Sequence, residues 1–146
     1  MSQNSNQNDP IFLVQSTFEK VAPIAETASE LFYGRLFELS PEIKELFQNT
    51  NMETQGRMLM EMLGTAVRGL KNLEELKPAV RDLGKRHVNY GVKPEHYPVV
   101  GAALLWALEQ GLGNDFTPEV KEAWAGVYDV LAKLMQEGAG NIADAA

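Results

Sequence analysis

Apolar residues recur along most of the chain at intervals of three and four, the spacing that places them on one face of an α-helix. The first stripe follows Asp9 and Pro10, an N-cap residue and a first-turn proline, and consists of Val14, Phe18 and Val21. The pairs at residues 40–41 and 117–118, Ser-Pro and Thr-Pro, repeat this signal for a helix start. No segment alternates apolar and polar residues convincingly as a half-buried strand does. The pattern therefore predicts an all-α protein.

The same pattern places six to eight helices along the chain, joined by short connections. One long stripe contains Leu59, Met62, Leu63, Ala66 and Leu70, and the next contains Leu76, Val80, Leu83 and His87. We expect the segment QNTNMET at residues 48–54 to be a loop and residues 89–91 to end a helix, since Asn and Gly are common there. The last two helices are predicted from about residue 97 to 111 and from 117 to about 136.

Polar residues at core-facing positions are the most informative departures from this pattern. His87 closes one apolar stripe, Gln55 lies four residues before Leu59 on another, and Tyr33 follows two apolar residues. A buried polar group without a partner costs about 1 to 3 kcal/mol, so each needs an explanation. A core imidazole bonded to a carbonyl, an amide at the end of its stripe and a tyrosine reaching solvent are the structural alternatives. A bound ligand would explain all three together.

The two histidines, His87 and His96, are the only imidazoles of the chain. They are nine residues apart, which on a continuous helix is about 180° around the axis, and no zinc-binding spacing is present. Haem is different because the porphyrin supplies four nitrogens, so one axial histidine and an apolar slot are enough. The sequence contains no recognisable catalytic dyad, nucleophile elbow or glycine-rich phosphate loop.

Composition and charge narrow the possibilities further. The chain has 146 residues, 45% of them hydrophobic, which suits one globular domain. It contains no cysteine, which excludes disulfides and covalent attachment of haem. The formal net charge of −7 argues against nucleic acid or an anionic membrane as partner. No apolar run approaches the ~20 residues of a membrane span, and we expect a cytoplasmic protein with a disordered polar tail at residues 1–9.

Four stretches resemble the bacterial single-domain haemoglobins and the globin domain of flavohaemoglobins. They are LFYGRLFELSPEIKELF, QGRML, DLGKRHVNYGVKPEHYPVVG and AWAGVYDV. The third is specific because it combines His-x-x-x-Gly-Val with His-Tyr-Pro. The resemblance implies a globin fold over residues 10–138 around a pocket for non-covalent haem b, followed by a flexible tail at 139–146.

The resemblance also implies a role for particular residues. His87 would be the proximal ligand of the iron, and His96 an ordinary residue in the first turn of a helix. Tyr33 and Gln55 would stabilise a gas on the opposite, distal side. The expected porphyrin contacts are Phe47, which would stack on the ring, Leu59 over the iron, and Val92 and Tyr97 on the proximal side. Met58 and Met62 are expected to be core residues rather than iron ligands.

Two departures from the flavohaemoglobin pattern bear on function. Ala139 stands where those proteins have a glutamate that polarises the proximal histidine, and Glu137 is two residues short of that position. The chain also stops where a flavin and nicotinamide reductase would begin, so turnover would need an external reductase. We therefore expect reversible binding of O2, NO and CO, with NO dioxygenase activity as the enzymatic alternative and a haem-free signalling module as a third hypothesis. The sequence leaves the oligomeric state open.

Overall fold

The computed structural model describes residues 9–140, and all regular structure in that range is helical. It has seven α-helices and three short 3-10 helices. In chain order the α-helices are α1 (Pro10–Val21), α2 (Ala25–Leu39), α3 (Pro41–Glu45), α4 (Met52–Arg68), α5 (Leu73–Asn89), α6 (His96–Leu112) and α7 (Pro118–Ala139). The 3-10 helices are Ala22–Ile24, Leu70–Asn72 and Gly113–Asp115. The predicted all-α class and the number of helices are confirmed.

Side-chain caps fix the start of three helices, as predicted. Asp9 accepts a hydrogen bond from the backbone N–H of Ile11 at 2.8 Å, at the start of α1. Ser40 and Thr117 each accept the N–H three residues ahead at 3.2 Å, at the starts of α3 and α7. Each cap is followed by a proline at the first helical position. These starts are determined locally, because the cap satisfies an N–H that the helix leaves unpaired.

The loop predicted at residues 48–54 is shorter than expected. Helix α4 begins at Met52, because Asn51 accepts the N–H of Thr54 at 3.0 Å and acts as the N-cap. The three residues 52–54 therefore belong to the helix, and Gln55 lies in its first turn. The other boundaries differ from the predicted ones by one to three residues, with α6 ending at Leu112 and α7 at Ala139.

Two clusters of buried residues form the core. The first joins α1, α4, α6 and α7 around Trp124, whose side chain is 1% exposed and donates a hydrogen bond to the Thr17 hydroxyl at 2.9 Å. The second joins α2, α3 and α6 and consists of Phe32, Tyr33, Leu36, Ile43, Ala103 and Ala107. Since Tyr33 belongs to the second cluster, that cluster supports the distal side of the predicted site.

Helices α5 and α7 cross with their backbones in direct contact. A Cβ atom built on Gly84 would overlap the carbonyl oxygen of Met135, and one built on Gly138 would overlap that of Arg81. Two glycines thus face the opposing backbone at one crossing. Because His87 lies one turn beyond Gly84 on α5, this contact fixes the position of the predicted iron ligand relative to α7.

No helix within residues 9–140 has the length and apolar character needed to cross a membrane. The predicted tails lie mostly outside the described residues, which exclude 1–8 and 141–146.

Candidate functional site

The helices with His87 and Gln55 are not extensively packed against each other. Helix α5 packs mainly on α7, and α4 packs on α2 and α1. The predicted iron ligand and the predicted gas-binding residue Gln55 therefore lie on helices that belong to different packed pairs.

His87 has the tautomer that an iron ligand needs. Its Nδ1 lies 2.8 Å from the carbonyl oxygen of Leu83, one turn earlier on α5. A carbonyl oxygen can only accept, so Nδ1 bears the proton and Nε2 keeps its lone pair. Burial lowers the pKa of His87 below its ordinary value, and this outweighs the opposing effect of the Leu83 hydrogen bond. The ring is therefore neutral with a free acceptor nitrogen.

Tyr33 and Gln55 form a hydrogen-bonded pair between α2 and α4. The Nε2–H of Gln55 donates to the Tyr33 hydroxyl oxygen at 3.1 Å. Tyr33 is buried and Gln55 half-buried, which confirms that both side chains turn inward from their stripes. Because the tyrosine oxygen is occupied as an acceptor, its own hydrogen remains available to a ligand. Burial raises the pKa of Tyr33, and the bond from Gln55 reduces that effect.

Phe47 packs in an aromatic group with Tyr33. The ring centroids of these two residues are 5.5 Å apart in an edge-to-face arrangement, and Phe37 lies 5.4 Å from Phe47. Phe47 itself is only half-buried, and it lies two residues beyond the end of α3. The predicted stacking residue is thus fixed by neighbouring rings while part of its surface stays available.

The face of α4 that bears Gln55 is only partly covered by the rest of the chain. Met58 and Met62 lie three and seven residues beyond Gln55 and are 49% and 39% exposed, while Leu59 on the same face is half-buried. The expectation that both methionines are core residues is wrong. It failed because helical spacing predicts a shared face but not whether a neighbouring helix covers it.

The corner between α5 and α6 holds the end of the histidine helix. The carbonyl oxygen of His87 accepts the N–H groups of Tyr90 at 3.0 Å and Val92 at 3.1 Å. Gly91 between them has φ +91°, a left-handed conformation that favours glycine. Val92 is half-buried, and its hydrogen bond to His87 places it next to the end of α5.

Tyr97 is buried in the first turn of α6. Its carbonyl oxygen accepts the hydroxyl of Tyr128 on α7 at 2.6 Å, and burial raises the pKa of its own phenol. These contacts fix its backbone to α7.

Glu137 does not act as a partner of Tyr97 or His87. Its carboxylate is buried and one oxygen accepts two hydrogen bonds from Arg81, at 3.0 and 3.1 Å. Ala139, which the sequence resemblance aligns with a glutamate of flavohaemoglobins, has no carboxylate to offer. The described residues thus place the nearby acidic group of α7 in an ion pair with α5, and the hydrogen bond of His87 goes to a neutral carbonyl.

His96 is more than an ordinary first-turn residue. It is 4% exposed, its Nε2 lies 2.5 Å from a carboxylate oxygen of Glu42, and its Nδ1 lies 3.0 Å from the backbone nitrogen of Lys93. Sequence reasoning missed this contact because Glu42 lies 54 residues away along the chain. The one signal for His96 in the sequence is that it directly precedes Tyr97, a predicted pocket residue.

A separate groove of about 460 Å³ lies between α1, the Leu70 turn and the first half of α7. It is lined mainly by apolar residues with Glu119 and Glu122, and it contains none of the predicted site residues. We locate the functional site by the chemistry of His87, Tyr33 and Gln55 rather than by this groove, because the groove offers no nitrogen ligand.

The residues of α2, α4 and α5 fit haem. The fit rests on a neutral histidine with a free Nε2, a hydrogen-bonding pair that joins α2 and α4, and partly exposed apolar side chains on α4. Haem needs one axial nitrogen from the protein, and His87 can supply it.

Comparison with known proteins agrees with this assignment. The sequence profile of the family described as Globin matches residues 30–135. A flavohemoprotein of Bacillus subtilis is 35% identical over 86% of this chain, which spans 32% of that protein. The chain therefore corresponds to about one third of the flavohemoprotein's length.

Solved structures give the same result. A bacterial globin from Campylobacter jejuni superposes with a TM-score of 0.78 at 28% identity, covering 91% of this chain and 96% of that one. An engineered carbene transferase, made from a Rhodothermus marinus protein described as a nitric oxide dioxygenase, has a TM-score of 0.80 at 30% identity and coverages of 90% and 92%. The chain belongs to the globin family. Membership of that family implies that haem is the cofactor.

Proposed function

We propose that this protein binds O2, NO and CO reversibly at the iron of a haem whose proximal ligand is His87. The observation on which this rests most is the 2.8 Å contact between Nδ1 of His87 and the Leu83 carbonyl. It fixes the tautomer, aligns the ring along α5 and leaves Nε2 free. A ligating histidine almost always has such a second partner on its other nitrogen.

Haem, when bound, would supply an iron that can bind a gas, and His87 would hold that iron through Nε2. Tyr33 would donate its hydroxyl hydrogen to a bound gas that carries negative charge, as O2 does, and Gln55 would orient that hydroxyl. If each donor contributes about 0.5 to 1.5 kcal/mol, the pair together increases O2 affinity by roughly tenfold or more. The protein should therefore release O2 slowly.

The remaining predicted contacts complete this proposal. Phe47 would stack on the porphyrin, Leu59 would lie beside the gas, and Val92 and Tyr97 would line the proximal side. The cofactor would be haem b held without covalent bonds, since the sequence has no cysteine. Gln55 is a poor iron ligand, so the distal position should be open or hold water. A cytoplasmic location remains a prediction.

NO dioxygenase activity is the alternative. In that reaction NO, O2 and one electron combine to give nitrate, and a reductase outside the globin domain would supply the electron. It is favoured by the relatives named flavohemoprotein and by the description, as a nitric oxide dioxygenase, of the Rhodothermus marinus protein from which the engineered carbene transferase was made. The pairing of Glu137 with Arg81 argues against it as the main role, because the Nδ1–H of His87 is then bonded to the neutral Leu83 carbonyl and not to this carboxylate.

Rapid mixing separates the two functions. The oxygenated protein is mixed with NO, first alone and then with an added flavin reductase and nicotinamide cofactor. A gas-binding protein goes through repeated cycles of oxygenation and deoxygenation and turns over NO slowly even with the reductase. Sustained nitrate formation would instead support the dioxygenase. A protein that remains colourless after expression with added haem would overturn both and leave the haem-free signalling module.

A further inference from the structure

We propose that His96 and Glu42 form a positioning pair that holds the corner between α5 and α6 and thereby fixes His87 for its cofactor. The inference rests on the proposed haem-binding function. It concerns residues outside the iron ligand and the distal pair, and it follows from the connections of a buried histidine to three parts of the chain.

The hydrogen bonds of His96 show which ring nitrogen bears the proton. The backbone N–H of Lys93 donates to Nδ1 at 3.0 Å, so that nitrogen bears no proton. The ring proton is then on Nε2, which donates to Glu42 at 2.5 Å. Both nitrogens of a neutral ring are used, and the side chain is only 6% exposed. His96 is therefore a buried polar side chain with a hydrogen-bond partner at each ring nitrogen.

Glu42 lies on a helix that is anchored in the core, and its carboxylate can accept this bond. Its neighbour Ile43 is 3% exposed and anchors α3 in the core, and Ser40 caps the same helix. The hydrogen bond from His96, with a smaller contribution from the charge of Lys93, holds the pKa of Glu42 below its ordinary value. The carboxylate therefore stays ionised, and the ammonium group of Lys93 lies 4.0 Å from it.

The corner connects this pair to His87. Val92, next to Lys93, donates its N–H to the carbonyl oxygen of His87 at 3.1 Å. A continuous path of hydrogen bonds and one peptide link thus runs from α3 through His96 and the corner to the last turn of α5. Without the pair, the corner would have to be ordered when haem binds, and that entropy cost would weaken binding.

The test uses the haem-loaded protein and two measurements. One is the rate of haem transfer to an excess of a high-affinity apoglobin, and the other is the iron–histidine stretching band of the ferrous form in resonance Raman spectra. We expect His96→Phe and Glu42→Ala to release haem roughly twofold to twelvefold faster, the effect of one lost hydrogen bond. The band should broaden or shift in both variants.

Two further variants separate positioning from general stability. Glu42→Gln keeps an acceptor for Nε2–H of His96 and should stay within about twofold of the wild-type rate. Thr17→Val breaks the buried hydrogen bond to Trp124 in the first core cluster. It should lower the free energy of unfolding while leaving the Raman band unchanged. If His96→Phe does not fold, Glu42→Ala remains decisive because its side chain is 59% exposed.

The outcomes distinguish this inference from the function on which it rests. A wild-type protein that takes up no haem would overturn both. A haem-loaded Glu42→Ala protein with the wild-type band and the wild-type rate of haem loss would overturn the positioning pair alone.

Discussion

Gln55 on α4 donates a hydrogen bond at 3.1 Å to the hydroxyl oxygen of Tyr33 on α2, a residue 22 positions earlier in the sequence. This direction of donation matters because it determines what each residue can offer a gas. The tyrosine keeps its own hydrogen for the ligand, and Gln55 keeps the second hydrogen of its amide. The two residues should therefore act as a unit rather than as independent donors.

A double-mutant cycle tests this unit. Tyr33→Phe should speed O2 dissociation by roughly twofold to twelvefold, the value of one hydrogen bond. Gln55→Leu should have a similar or smaller effect, and the double variant should fall short of the product of the two because the residues share a bond. Stopped-flow replacement of O2 by CO gives the rates. An unchanged rate in Tyr33→Phe would remove the tyrosine from the mechanism, and CO dissociation, which depends less on donors, is the internal control.

The pH dependence of O2 release follows from the burial of Tyr33. Burial raises the pKa of this phenol above its ordinary value, so the folded protein keeps the proton where an exposed tyrosine would lose it. The donor, and the associated stability, are fully present below about pH 10 and are lost only as the pH rises through the raised pKa. O2 dissociation should thus be constant from about pH 7 to about pH 10. A severalfold acceleration within this range that disappears in Tyr33→Phe would contradict the assignment.

The Arg81–Glu137 pair should stabilise the fold without tuning the iron. Glu137→Gln should cost about 1 to 3 kcal/mol of unfolding free energy, because the glutamate is buried while Arg81 is partly screened by solvent. Asp115→Asn, at an exposed pair with Lys20, should cost less than about 0.5 kcal/mol. Urea unfolding measures both. The iron–histidine Raman band should be unchanged in Glu137→Gln, and a clear shift would show that Glu137 does polarise His87.

The glycine contact between α5 and α7 gives a prediction with a matched control. Gly84→Ala inserts a methyl group into the backbone of α7 and should destabilise the protein by about 1 to 3 kcal/mol or more. Gly126→Ala, on the same α7 but with no neighbouring atom at its Cβ position, should stabilise it by about 0.4 to 1 kcal/mol. Thermal unfolding of the two variants should shift in opposite directions. Equal shifts would mean that the crossing is looser than described.

The sequence predicted those parts of the structure that depend on near neighbours. The caps at Asp9, Ser40 and Thr117 and the stripe leading to His87 need only a few residues to specify them, since a helix start is a local event. Asn51 was missed as a cap because it lies among other polar residues, all of which suit a loop.

Contacts between distant segments could not be predicted in the same way. The pairing of His96 with Glu42 and the approach of Gly84 to α7 depend on how helices cross, which a helical stripe does not specify. Met58 and Met62 are a second example in which helical spacing does not specify what packs against a residue. Their spacing was that of core residues, yet they are 49% and 39% exposed.

The ferrous absorption spectrum tests the central claim most directly. With haem bound, the protein should show a five-coordinate ferrous spectrum that changes to a six-coordinate form with CO and reverts when CO is removed. His87→Gly should lose the five-coordinate signature, and added imidazole should restore it. A wild-type ferrous form that is six-coordinate without any gas, or a His87→Gly spectrum identical to wild type, would contradict the assignment of His87 as the proximal ligand opposite an open site.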